Sequence, residues 1–443
     1  MSLPTQTQSK AWVAKPTRRL VIVVRADPVI CGHSGEARNL AEVALTRGFD
    51  DVRLLTWPMP ALEAAGLPLK PVDRITPYSP GITVERPEPV GDYRVPDGRY
   101  MAGLTGRLIE LLAEPVPTTC LSMYLAPHTQ VVEDAVVAAR AAGFRPDVRT
   151  MAKAVGSDVT NVIASCLREG RFGAAVATFT TFLASDEVVA VSEYTKQQIV
   201  ESALAVDAHC GTRFGPECLR RVVVSYPPID TAALLQPDPL LVDAALRRRG
   251  LERDGYVLFL SRVARAKGIY DLIPAFAQSK ASEKVKLVVA GNGPALEHVR
   301  AAARDDDRIV FLNDVDDEEK PLLMAGCAAY TLPTKPEPDF VETFGIALTE
   351  KMLAGGGPVI TTLTGGTGEA VGDTAVIVEA GDVGAISAAI DRVVLEMSRE
   401  DRVLMETRAR EYALQFDQER VFDDLFGTGP ALPVTPSHQA APA

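Results

Sequence analysis

Short β-branched runs alternate with longer helical patterns along this chain, and proline interrupts the alternation once. That rhythm limits the fold more than any other feature. Arg19-Leu20-Val21-Ile22-Val23-Val24 reads as a strand, its apolar run from Leu20 the pattern of burial on both faces. Residues 37–47 read as a helix and 52–55 as the next strand. Further strands are expected at 118–123, 148–151, 188–191 and 221–225, with helices such as 103–112 and 131–142 between them. Continuous apolar strands joined by helices require a parallel sheet covered on both faces. Tyr226-Pro227-Pro228 and Gln236-Pro237-Asp238-Pro239 then break regular structure and mark a hinge. A second series follows, with strands at 256–260, 285–290, 308–312, 328–332, 359–361 and 374–378. One helix over about 400–425 closes it. The expected class is α/β, with two Rossmann-like domains facing across a cleft.

Composition narrows the partners. A net charge of −12 argues against a nucleic-acid backbone or an anionic membrane as the main partner. No apolar run reaches the roughly 18 residues of a membrane span. The first 17 residues lack the apolar core of a signal peptide, so a cytoplasmic protein is expected. The six cysteines form no Cys-x-x-Cys pair and the five histidines do not group with them, which disfavours a structural zinc site. Cys210 and Cys218 flank a short loop and are read as free thiols.

The segment Glu342-Thr343-Phe344-Gly345-Ile346-Ala347-Leu348-Thr349-Glu350 carries the strongest chemical signal. If Gly345 opens a helix, the two carboxylates stand roughly 12 Å apart. That is too wide to share one proton or one metal, and it suits gripping two ends of an extended ligand. The free N–H groups of Thr343 to Ile346 would form an anion site between them. A nucleotide sugar needs hydroxyl acceptors at both ends and a phosphate cradle between.

Other loops fit the same ligand. Arg262 and Lys267 follow the strand at 256–260, where they are either a solvated basic loop or a clamp on a departing diphosphate. Gly291-Asn292-Gly293-Pro294 lacks the third glycine of a dinucleotide fingerprint and reads as a tight turn bringing backbone to the ligand. Gly365-Gly366-Thr367-Gly368-Glu369 is either a turn or a backbone wall against the sugar phosphates. Asp305-Asp306-Asp307 reads as a solvated charge run, and no Asp-x-Asp metal motif stands in a donor loop.

Together, Leu260-Ser261-Arg262 through Lys267-Gly268, Val289 through Pro294, Glu342 through Glu350, and Val191-Ser192-Glu193-Tyr194-Thr195 resemble glycosyltransferase family 4, retaining enzymes of the GT-B fold. The resemblance covers about 20–427. It implies an acceptor-binding domain at 18–235 and a nucleotide-sugar-binding domain at 240–405. A helix at 406–427 would cross back to the first domain. From composition, the polar arm at 1–17 and the Pro-, Ala- and Thr-rich tail at 428–443 are expected to be disordered. The resemblance implies that Arg262 and Lys267 bind the donor diphosphate, Glu342 the sugar hydroxyls and Glu350 the ribose. Backbone near Phe311 and Leu312 would face the base. The loop Cys31-Gly32-His33-Ser34-Gly35-Glu36 resembles the family's glycine-rich loop over donor phosphate and acceptor, with Gly32 and Gly35 allowing close approach and His33 on the acceptor side. Its plainer reading is a polar connection capped by Ser34. Glu36 and Arg38 are weaker acceptor candidates.

Tyr124-Leu125-Ala126-Pro127-His128 resembles a Tyr-x-x-Pro-His segment of members acting on small polar acceptors. His128 is either an acceptor contact or a capping or core histidine. Val155-Gly156-Ser157-Asp158 resembles a segment where the family has His-Gly-x-Asp, with Val155 in the histidine's place. Lys153 or Asp158 is the candidate replacement, and Asp158 either orients the acceptor nucleophile or caps a helix. The implied activity is retaining transfer of a sugar from a UDP or GDP sugar to a small soluble acceptor, without metal or bound cofactor. A cyclitol, sugar, thiol or natural-product intermediate would fit. A nucleotide-sugar hydrolase or epimerase and a non-catalytic binding protein are the rival readings.

Overall fold

The structure, a computed structural model, describes residues 17–70, 75–91, 96–235, 237–303, 306–338 and 340–427. The expected arm, apart from Thr17, and the expected tail lie outside these residues.

The first sheet has seven parallel strands: β1 (Arg19–Val23), β2 (Asp51–Leu55), β3 (Ile82–Glu85), β4 (Thr118–Met123), β5 (Val148–Ala154), β6 (Glu187–Ala190) and β7 (Val222–Val224). Their spatial order is β3-β2-β1-β4-β5-β6-β7. The second sheet comprises β8 (Tyr256–Leu260), β9 (Lys286–Ala290), β10 (Ile309–Leu312), β11 (Ala329–Leu332), β12 (Val359–Thr361) and β13 (Val376–Ile377), ordered β10-β9-β8-β11-β12-β13. Strand β3 was not expected. It is a half-exposed edge strand with no buried residue, so it lacks the apolar run that marks the others.

In each sheet the order reverses once, between β1 and β4 and between β8 and β11. Crossovers leave in opposite directions there, opening a crevice beyond the strands' carboxyl ends where ligands bind. The helices that frame these crevices are α1 (Gly32–Thr46), α2 (Glu193–Cys210), α3 (Glu319–Gly326), α4 (Ile346–Ala354), α5 (Arg399–Ala413) and α6 (Gln418–Phe426). Helix α1 starts five residues earlier than expected, so the glycine-rich segment is its first turn and not a loop. Ser34 does not cap it: Cys31 is the capping position, without a side-chain bond, and the Ser34 hydroxyl is buried with no partner.

The closing helix is broken where one continuous helix was expected. After α5, Phe416 turns inward between Tyr226 and Phe344, with ring centroids 5.2 and 5.0 Å away. Asp417 then restarts the chain by accepting the N–H of Glu419 at 2.9 Å. Around this corner the Ile229 N–H donates to Phe416 O at 2.9 Å and Ile229 O accepts the Gln418 N–H at 2.8 Å, and α6 lies on α1. Phe422 and Phe426 enter the first domain's core beside Phe49, and Arg47 binds Asp423 at 2.7 Å. All six cysteines are free. Among the described residues no helix is long and apolar enough to cross a membrane.

Candidate active site

On the second domain the β8 loop carries Arg262 and Lys267. Gly268 ends it in the left-handed region at φ +74°, where a Cβ would stand 1.9 Å from the Pro333 carbonyl oxygen. Only glycine lets this loop lie against the one leaving β11. Lys267 Nζ thereby pairs with Glu342 Oε2, both side chains largely buried. Phe340 gathers the cations: Arg262 Cζ and Lys267 Nζ stand 5.5 and 5.3 Å from its ring centre. Arg262 is exposed. Gly345, at φ +108°, starts α4 without a side-chain cap and leaves its first N–H groups open. Glu350, inside α4, accepts from Lys320 Nζ of α3 at 2.7 Å, a partner the sequence did not suggest.

The glycines do make close approaches, but to protein backbone. Cβ atoms at Gly291 and Gly293 would meet the carbonyl oxygens of Ser261 at 2.2 Å and Val263 at 2.3 Å. The Gly291 N–H donates to Leu312 O at 2.8 Å, so this turn and Leu312 brace the Arg262 loop. Likewise Gly365 and Gly366 pack under Glu342 and Thr343, with the Gly366 N–H donating to Glu342 O at 2.8 Å.

On the first domain several expected contacts are taken up internally. Lys153 Nζ binds Glu36 Oε2 at 2.9 Å in full burial, so Glu36 does not reach an acceptor and Lys153 does not replace the missing histidine. Arg38 is held by Asp27 at 2.8 Å. His128 is a core histidine: Trp57 Nε1 donates to its Nε2 at 2.9 Å, which leaves Nδ1 to donate to Met123 O at 2.6 Å. Asp158 accepts the N–H groups of Leu125, Val155, Gly156 and Val159 at 2.9–3.2 Å, tying the β4 loop to the β5 loop. It is the clamp between those loops. Tyr124 stands beside it with φ +97°, a strained setting for a non-glycine residue and one that concentrates at functional sites. Its ring lies 6.1 Å from that of His33.

The two halves touch at the switch points. A Cβ at Gly32 would stand 3.0 Å from Ile346 Cδ1, so the N-termini of α1 and α4 meet. Gly156, at φ +111°, leaves no room for a Cβ against Thr343, whose hydroxyl donates to Val155 O at 3.5 Å. Val155 itself packs against the first domain's core. Glu369 crosses between domains: its carboxylate accepts the N–H of Glu193 at 2.7 Å and of Tyr194 at 2.9 Å at the start of α2. Both motifs were visible in the sequence, but not that one caps the other. A cavity of about 520 Å³ lies beside this clamp, lined by Tyr194, Lys196, Gly365 and Glu369 among others. It contains none of the switch-point cations, so the candidate site is assigned to the switch points. Among the described residues no group of three or more His, Cys, Asp or Glu is placed to hold a metal ion.

Burial sets the acid sensitivity of this region. It pushes His128 down to about 4 and His33 down to about 3. Both stay neutral in the fold at a pH where the unfolded chain takes up protons near 6.5. Their stabilisation is complete above about pH 6.5 and is lost as pH falls through their folded values. Burial raises the Asp158 carboxyl to about 6 against the pull of its four N–H donors, which opposes this trend between about pH 4 and 6. Urea unfolding should therefore show lower stability at pH 5 than at pH 7. His128→Gln should flatten that difference; an unchanged slope would remove His128 as its source.

Two parallel α/β domains with apposed switch points, and a last helix returned to the first domain, define the GT-B fold. Residues 245–412 match the family model for glycosyl transferases group 1. It is 30% identical over 176 residues to N-acetyl-alpha-D-glucosaminyl L-malate synthase of Bacillus anthracis, a match covering 38% of this chain and 44% of that relative. The chain thus aligns with less than half of that relative's length. Among solved structures, HepE of Anabaena in complex with UDP and glucose is 17% identical with a TM-score of 0.65, covering 92% of this chain and 98% of that one. An alpha,alpha-trehalose-phosphate synthase of Burkholderia xenovorans in complex with glucose-6-phosphate is 13% identical with a TM-score of 0.66, covering 93% and 99%.

Proposed function

We propose that the protein is a retaining glycosyltransferase that moves a sugar from a nucleoside diphosphate sugar, UDP or GDP, to a small soluble polar acceptor. The carrying observation is the Lys267–Glu342 pair beside Arg262 at the β8–β11 switch point, next to the meeting N-termini of α1 and α4. Within the site Lys267 and Glu342 satisfy each other. With donor bound, the ammonium turns to the diphosphate and the carboxylate to a sugar hydroxyl. Glu350, oriented by Lys320, takes the ribose hydroxyls.

The acceptor attacks the anomeric carbon from the leaving group's side. The new bond to that carbon forms as its bond to the diphosphate oxygen breaks, and that oxygen receives the acceptor's proton. No covalent nucleophile is required. Arg262, Lys267 and the N–H groups of 343–346 stabilise the charge that grows on the diphosphate.

The relative named N-acetyl-alpha-D-glucosaminyl L-malate synthase, and solved neighbours holding UDP or glucose-6-phosphate, support testing UDP sugars and small polar acceptors first. The test is a thermal-shift panel of UDP-, GDP- and dTDP-sugars, followed by mass spectrometry with candidate acceptors and NMR of the product's anomeric proton. One sugar nucleotide should raise the unfolding temperature and yield a product of retained configuration. Acceptor-free consumption of the donor would instead assign a hydrolase. Turnover is expected to survive EDTA unchanged; loss with EDTA and recovery with Mg²⁺ would overturn metal independence.

A further inference from the structure

We propose that Arg25 anchors the acceptor, and that the acceptor carries an anionic oxygen group, a carboxylate or a phosphate. This rests on the transferase reading of the cleft. Arg25 lies two residues past the end of β1, and Tyr124 directly follows β4, so the two flank the first sheet's switch point. The guanidinium is half-buried. It donates to His33 Nε2 at 3.2 Å and its carbon lies 5.6 Å from the centre of the Tyr124 ring.

No carboxylate pairs with it among the described residues, although the chain carries twelve more acidic than basic groups. The nearby carboxylates are each committed: Asp27 to Arg38, Glu36 to Lys153, and Asp158 to four backbone N–H groups. His33 brings no negative charge, because a ring nitrogen that accepts from a guanidinium belongs to a neutral imidazole. A half-buried cation without a counter-ion is costly, and a ligand anion can relieve that cost.

The surroundings suit such a ligand. Tyr100, Trp57, His128, Tyr124 and His33 form a continuous band, with neighbouring ring centroids 6.1–6.3 Å apart. Within it His33 and His128 are buried, and the part-exposed Tyr124, Trp57 and Tyr100 offer flat faces to the acceptor's body while Arg25 takes its charged end by two parallel hydrogen bonds. The cations assigned to the donor stand at the other switch point, so the two charges would be read by separate groups.

The test uses the full chain with Trp12→Phe, leaving Trp57 as the fluorescent reporter. UDP is kept saturating so that added anions do not report the donor site. Acetate and inorganic phosphate are titrated separately against chloride at constant ionic strength. A saturable change with acetate assigns a carboxylate, and one with phosphate a phosphate. Arg25→Ala should weaken that binding about tenfold or more, and Arg25→Lys should retain part of it. UDP affinity, measured by calorimetry, should be unchanged in both variants. Equal titrations in wild type and Arg25→Ala, or no saturation with either anion, would overturn the proposal. A parallel loss of UDP affinity in Arg25→Ala would assign Arg25 to the donor instead. Failure of UDP to bind wild type counts against the transferase reading alone, since the anion titration still reads Arg25.

Discussion

Lys267→Ala is expected to lower turnover by about two to three orders of magnitude, the loss typical of removing one stabiliser of transition-state charge. Lys267 and Arg262 are the two cations that the Phe340 ring gathers at the second switch point, and Lys267 is the more enclosed. Removing it leaves growing negative charge on the diphosphate facing Glu342, a carboxylate that then has no partner of opposite sign. The substitution therefore both subtracts a favourable charge and unmasks an unfavourable one. Lys267→Ala combined with Glu342→Gln separates these contributions. Steady-state kinetics should show the double variant no worse than the single, while urea unfolding should show the single losing less than about 3 kcal/mol. Near-wild-type turnover in Lys267→Ala would sink the diphosphate role.

The second large effect concerns stability. Glu36→Ala should cost about 3–5 kcal/mol, because it strands the Lys153 ammonium in a fully buried site. The Tyr226 carbonyl, 3.4 Å away, is its remaining polar neighbour and cannot neutralise it. Replacing both partners by apolar residues of similar size, Glu36→Leu with Lys153→Met, should recover most of the loss. Chemical denaturation of the three variants decides the matter. If Glu36→Ala lies within about 1 kcal/mol of wild type, the pair does not hold α1 to β5 and the hinge.

What the sequence disclosed depended on the range over which each signal acts. Tyr256–Leu260 was legible to the residue, since its apolar run is local and ends in a polar loop. Ile82–Glu85 was not, because what makes it a strand is pairing to β2 at a solvated edge. The closing segment read as one helix, and the break comes where Phe416 docks between Tyr226 and Phe344, far away in sequence. The same distinction applies in the site. Arg262, Lys267 and Glu342 were readable together because their loops follow strands, whereas Glu350 lies inside α4 and pairs with Lys320. The assignment of His128 was not, since the Trp57 indole that occupies its second nitrogen lies 71 positions away. Glu36 and Lys153, 117 positions apart, each looked available until the fold brought them together. Gly32, Gly291, Gly293, Gly365 and Gly366 do sit at close approaches to protein atoms while Gly35 faces open space, so glycine alone does not say what approaches.

The return of α6 also dictates an order of assembly. The first domain leaves the ribosome first, and domains generally begin to fold in that order. Its core nevertheless includes Phe422 and Phe426, so the face around Phe49 stays open until nearly all of the described chain has been made. The half synthesised earliest is thus completed latest, and a fragment cut at the hinge would carry an unsealed apolar surface rather than an independent domain.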